Sequence, residues 1–206
     1  IQVAVDGVEG EPHTAERWQQ NGRRVADMLA DARADGVKRL LVVGCTLEDS
    51  QAAIDFATTE ADCGATIGLH PHEDHHYIGH DGLLQRFAGL AAAPQVVAVG
   101  ECGLDLHYEH SPRAPQQKNF RSHIAAARKL GLPVIVHTRD ADDDTIAILE
   151  DEMAKGAFTG VIHCFTGTQR LADASLALGL YISVSGIATF KNSQPLRDVI
   201  KNVPLE

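Results

Sequence analysis

Several apolar runs in this chain end in side chains able to bind a metal or a phosphate. Val96-Val97-Ala98-Val99 leads through Gly100 to Glu101, Val134-Ile135-Val136 leads to His137, and Val161-Ile162 leads to His163. Upstream, Thr66-Ile67-Gly68-Leu69 leads to His70, with His72 two residues on. Short apolar runs of this kind read as buried strands, and strands that all finish in functional groups are parallel strands sharing one edge. Alternate residues of a strand face the same way, which puts Asp105 with Glu101, Arg139 with His137, and His72 with His70. A glutamate plus two histidines suits Zn2+ or Mn2+, and added carboxylates and water extend the set toward Mg2+.

Each residue also has a plainer reading. Glu101 could form a buried ion pair with Arg139, His137 and His163 could be hydrogen-bonded core histidines, and His70-Pro71-His72 could be a rigid turn. That Glu101, His137 and His163 all follow the same kind of run argues against three unrelated structural roles. His75, His76, His80, His107 and His110 fall in polar loops and read as solvated, as do Arg113, Lys118 and Arg121 on a helix face.

The elements that must position these residues alternate between helix and strand. Residues 1–14 read as loop, and 15–34 as an amphipathic helix closed by Gly36. Strands are predicted at 39–43, 65–69, from 96 onward, and at 133–136, 160–163 and 181–184. Helices are predicted at 48–61, from Leu83 up to Pro94, and at 115–130, 142–155 and 169–178. The segment 73–81 reads as a polar loop, and Ser193 with Pro195 opens a last helix as cap and first position. Six strands crossed by helices imply an α/β fold with a parallel sheet, either doubly wound or a barrel. No G-x-G-x-x-G or P-loop follows a strand, which weakens the nucleotide-binding doubly wound form.

Residues 1–206 read as one domain, with 44% apolar and 22% charged residues, ordinary for a globular chain. No run approaches the roughly 18 to 20 apolar residues of a membrane span, and no secretory leader is visible, so a cytoplasmic location without membrane contact is expected. Cys45, Cys63, Cys102 and Cys164 stand singly and read as reduced core thiols. A formal charge of −10 disfavours broad electrostatic binding of nucleic acid, although bound divalent cations would offset a carboxylate-rich pocket locally.

Four stretches carry a more specific signal. Gly68-Leu-His-Pro-His72, Gly100-Glu-Cys-Gly-Leu-Asp105, His137-Thr-Arg-Asp140 and His163-Cys-Phe-Thr-Gly167 resemble, in order, the signature motifs of the TatD family of metal-dependent hydrolases. The resemblance runs from about residue 39 to 206. It implies a TIM-like (β/α) barrel, one or two divalent ions (Mg2+, Mn2+ or Zn2+) and deoxyribonuclease activity. It further implies that Glu101, His137 and His163 are metal ligands and catalytic residues, and that His70, His72 and Arg139 contact substrate. Asp105, on the face of Glu101, joins the substrate-binding group. An N-terminal H-x-H pair and a closing metal-binding aspartate are absent from the sequence. A barrel of this kind takes about 250 residues, so the first and eighth strands, with three ligands, are expected to lie outside this chain.

The function these readings support is metal-dependent phosphodiester hydrolysis, most directly of DNA ends or short strands. Metal-dependent ester or C–N hydrolysis, including aminoacyl-tRNA deacylation, is the alternative enzyme reading, and a non-catalytic scaffold fragment the third. The partner implied is DNA or another phosphodiester substrate, and no protein partner is implied.

Overall fold

A computed structural model describes residues 2–3, 19–20, 23–74, 82–108 and 110–205. The chain opens with β1 (Gln2–Val3), β2 (Gln19–Gln20), β3 (Arg23–Arg24), α1 (Val25–Ala34), β4 (Leu40–Val42) and α2 (Leu47–Thr59). It continues with β5 (Cys63–Ile67), α3 (Leu83–Leu90), β6 (Val96–Asp105), α4 (Arg113–Leu130), β7 (Val134–Arg139) and α5 (Asp142–Lys155). The last elements are β8 (Gly160–Ile162), α6 (Gln169–Ala177), β9 (Tyr181–Ile182), a 3-10 turn at Gly186–Thr189 and α7 (Gln194–Ile200).

Seven strands form one parallel sheet in the order β1-β4-β5-β6-β7-β8-β9. Every crossover therefore steps one strand in the same direction. A doubly wound sheet reverses its strand order at a switch point, whereas a (β/α) barrel does not, so this order is that of a barrel. All seven strands of this sheet point the same way, and the residues after their C-terminal ends share one rim.

Three expectations change. The first strand was expected to lie outside this chain, but the place beside β4 is taken by β1, whose Gln2 and Val3 pair with Leu41 and Val42. The helix expected over 15–34 begins only at Val25, because Gln19–Gln20 and Arg23–Arg24 pair as an antiparallel hairpin. Asn21-Gly22 between them is a strong hairpin signal, and the helical spacing from Val25 onward masked it. Pro195 is the second residue of α7, and Ser193 makes no side-chain cap bond. The remainder of the 1–14 loop, residues 15–18, and His75, His76 and His80 lie outside the described residues.

Helix α4 shows how the sequence builds this arrangement. Gln116, Phe120, His123, Ile124 and Ala127 are all buried, one stripe at helical spacing facing the sheet. Gly131 ends the helix in the left-handed region at φ 69, where a side chain would be strained. Phe120, Ile124 and Ala127 join Phe87, Ile67, Leu69 and Leu104 in a fully buried core. Among the described residues no helix is long and apolar enough to cross a membrane. The four cysteines are free thiols.

His123 is fully buried and ties α4 to the end of β5. Its Nδ1 donates to the Asn119 carbonyl at 2.7 Å, and its Nε2 accepts from the Leu69 N–H at 2.9 Å. That pattern fixes a neutral imidazole, and burial pulls its pKa from 6.5 down to about 4. As pH falls below 6.5 the unfolded chain takes up a proton that the folded chain refuses, so stability present above 6.5 is lost toward pH 4. His123→Gln should therefore lose its stability deficit relative to the parent across that window, by about 3 kcal/mol. Urea unfolding of both proteins from pH 7 to pH 4 checks this, and a constant difference would reject it.

Candidate metal centre

Close backbone approach brings the ends of three neighbouring strands together. A Cβ on Gly68 would lie 2.4 Å from the Gly100 carbonyl carbon, so the chain after β5 can run against β6 only with glycine there. Between β6 and β7 the register passes from Val99↔Val134 to Cys102↔Val136, three residues against two. This bulge contains Gly100-Glu101 and re-aims the carboxylate. Gly103 then lies opposite His137, where a Cβ would sit 2.0 Å from the His137 carbonyl oxygen.

The result is one imidazole held between two carboxylates of the adjacent strand. His137 Nδ1 lies 3.1 Å from Glu101 Oε1, and its Nε2 lies 3.1 Å from Asp105 Oδ2. The same Asp105 oxygen is 2.8 Å from His72 Nε2, and Asp105 Oδ1 accepts from the backbone N–H groups of His107 and Tyr108. Gln116 accepts from the Asp105 N–H at 2.7 Å and donates to its carbonyl at 3.0 Å, which locks the strand end. Ser111 Oγ donates to the His72 carbonyl at 3.0 Å. His70 packs its ring 4.6 Å from that of His137 and 4.5 Å from that of His72.

Electrostatics follow from this packing. Burial alone would raise Glu101, which is 4% exposed, but His137, with His163 and His70, holds its carboxyl below the usual value. Burial likewise works against Asp105, and the Tyr108 N–H with His72 and His137 brings it down to about 2. Burial would lower His137, and Glu101 with Asp105 raises it instead. Burial, reinforced by His137, pulls His70 down to about 4, leaving a neutral imidazole at pH 7.

Glu101, Asp105, His137, His70 and His72, all singled out in the sequence, thus form one contiguous group. The donor atoms of His70, Glu101 and His137 lie within 4.8 Å of one another. Two imidazoles and an ionised, buried carboxylate are a donor set that fits a divalent transition ion. His70 therefore stands inside the donor cluster and not only at its margin. His163 is near enough to help hold Glu101 down, and its Nε2 lies 3.0 Å from Cys164 Sγ, outside that three-residue cluster.

The ion pair considered between Glu101 and Arg139 does not form. Glu101 meets His137, while the exposed Arg139 lays its guanidinium over the Tyr108 ring at 4.9 Å. His107 and His110 are exposed yet engaged, His107 with Asp140 at 2.8 Å and His110 with the His72 ring at 4.6 Å. Arg113 and Arg121 are not simply solvated, since they pair with Asp144 and with Asp151 and Glu152 on α5. Tyr108, Ser111, Gln116 and His123 went unnoticed in the sequence. Only Gln116 and His123 left a signal there, as polar residues on the apolar stripe of α4.

The model of the TatD related DNase family matches residues 13–206. The uncharacterized metal-dependent hydrolase YcfH of Escherichia coli K12 is 43% identical over 183 residues, covering 88% of this chain and 67% of YcfH. The 3'-5' ssDNA/RNA exonuclease TatD of Cronobacter turicensis is 38% identical over 183 residues, covering 87% and 68% of the two chains. The chain thus spans about two thirds of the length of these relatives. The crystal structure of the TatD homologue YjjV of Escherichia coli K12 superposes with a TM-score of 0.74 at 26% identity, covering 94% of this chain and 74% of that one.

Asp105→Asn keeps the shape of the side chain and removes the charge that His137 and His72 share. The variant is expected to lose about 1–3 kcal/mol of stability at pH 7. Thermal or urea unfolding reads the change, and a neutral substitution would show that Asp105 does not hold these rings.

Proposed function

Because the chain belongs to the TatD related DNase family of metal-dependent hydrolases, we propose that it hydrolyses phosphodiester bonds of nucleic acid, as a deoxyribonuclease acting on DNA ends or short strands. The observation that carries this is the convergence of His70, Glu101 and His137 at one rim, with Asp105 and His72 beside them. Relatives such as the TatD of Cronobacter turicensis bear the name of a single-strand exonuclease, which supports a nucleic-acid substrate.

Glu101 and His137 are common to the motif-implied ligand set and to the geometric cluster, and they would hold the ion, with His70 and His163 flanking them. A divalent ion supplies Lewis acidity toward a phosphoryl oxygen and makes water a competent nucleophile near neutral pH. Glu101 contributes an anion kept ionised by its histidine neighbours, so cation charge is balanced without a proton on the carboxylate. Asp105 orients His137 and His72 together through a single oxygen, which fixes the distance between the donor cluster and the neighbouring imidazole. His72, part-exposed at the rim beside Asp105, would contact a substrate phosphate. A cation held by these residues would also offset, locally, the overall charge of −10 that repels a polyanion.

The direct test is release of nucleotides from single- and double-stranded DNA by the metal-loaded protein, beside a panel of carboxylic esters and aminoacyl esters. Hydrolysis of DNA that chelation abolishes is expected, and turnover of esters alone would move the function to carbonyl chemistry. His72→Ala should raise KM for DNA about tenfold, the worth of one hydrogen bond to a charged group, and leave bound metal unchanged. Loss of metal in this variant would make His72 a ligand instead.

A further inference from the structure

The loop after β6 was expected to be solvated, yet it carries an ordered cluster of rings beside the metal centre. The Tyr108 N–H donates to Asp105 Oδ1 at 3.0 Å, so the root of this side chain is fixed by the carboxylate that also grips His137. Its ring is 5.6 Å from the His72 ring and lies 5.7 Å from that of His110 with only 13° between their planes. Arg139 sits over the same ring. Despite these neighbours Tyr108 remains 52% exposed, on the rim where the strands end.

We propose that Tyr108, together with Arg139 and His110, is a stacking site for one unpaired nucleobase adjacent to the scissile phosphate, and that it selects single-stranded ends. This rests on the nucleic-acid reading above. Three features point the same way. Proteins that take single strands without reading sequence combine aromatic faces for the bases with arginine beside them, and this cluster supplies both. A net charge of −10 disfavours counterion release as the main source of affinity for a polyanion, and base stacking does not depend on net charge. The cluster is also one ring removed from the centre, since the His72 ring that borders Tyr108 lies 6.3 Å from that of His137. A base in a duplex is already stacked and paired and cannot offer a free face, which gives the preference for unpaired ends.

The test uses metal-loaded protein and short single-stranded oligonucleotides whose terminal nucleotide, at either end, carries either a base or an abasic sugar. The parent should favour the base-bearing strand in kcat/KM by about five- to 150-fold, the range expected of one stacked base. Tyr108→Ala should bring that ratio close to one, and Tyr108→Trp should retain it. A second readout needs no turnover: with strands whose terminal linkages are phosphorothioates that resist cleavage, a terminal 2-aminopurine should be quenched on binding to the metal-loaded parent, and Tyr108→Ala should abolish the quenching. Hydrolysis with the same base preference and the same quenching in Tyr108→Ala would overturn the stacking site and leave the nuclease reading intact. Quenching that depends on Tyr108 in a parent that cleaves no nucleic acid would uphold the stacking site and overturn the nuclease reading. Neither binding nor cleavage of any oligonucleotide would overturn both.

Discussion

Two carboxylates from one strand grip one imidazole from the next, and much of the molecule is arranged so that they can. Taking Glu101 and Asp105 almost wholly out of water costs several kcal/mol for each ion unless hydrogen bonds and opposite charge offset it. His137 meets both carboxylates, and His72 and two backbone N–H groups complete Asp105. The bulge at Gly100-Glu101, the bare backbone of Gly103 against His137, and the double clasp of Gln116 on Asp105 all serve that geometry. His123 extends it to the next strand by fixing Leu69, one residue before His70.

Buried ionic groups elsewhere in the chain make a useful contrast. Glu152 on α5 is also 4% exposed, but its partners are Arg121, Arg128 and Lys155, permanent cations that tie α4 and α5 side by side. Such a carboxylate is already neutralised and has nothing to offer a ligand. The groups that hold Glu101 ionised are the imidazoles of His137, His163 and His70, which can give up a proton to an incoming ion. The same distinction separates His123, whose two nitrogens are both committed within the fold, from His70, which lies among other donor atoms at the rim.

The order of strands and helices was legible because each strand is a short apolar run and each helix carries an apolar stripe. The strand ends in Glu101, His137 and His163 were equally plain, since nothing apolar in character would tolerate them there. What period and composition could not show was how neighbouring strands slide past one another. One extra residue in β6 decides where Glu101 points, and that depends on the fit of Gly68, Gly100 and Gly103 between backbones, not on local preference. The drawing of His70 into the donor cluster, and the roles of Gln116, His123 and Tyr108, are of the same kind. Each is a polar residue whose partner is distant in sequence, so its meaning is set by tertiary contact. The hairpin ahead of α1 was missed for another reason, because a helical stripe that starts at Val25 can be read backwards past its true beginning.

The claim on which the functional reading stands is that Glu101 and His137, with His70 alongside, form a site for a divalent ion. Equilibrium dialysis or calorimetric titration of the parent and of Glu101→Gln with Zn2+, Mn2+ and Mg2+ tests it most directly, with circular dichroism to confirm that both are folded. Glutamine keeps the size and one hydrogen-bonding oxygen of the side chain but removes its charge. The expected result is at least one tightly bound divalent ion in the parent and none in the folded variant. Equal metal content in the two proteins would contradict it.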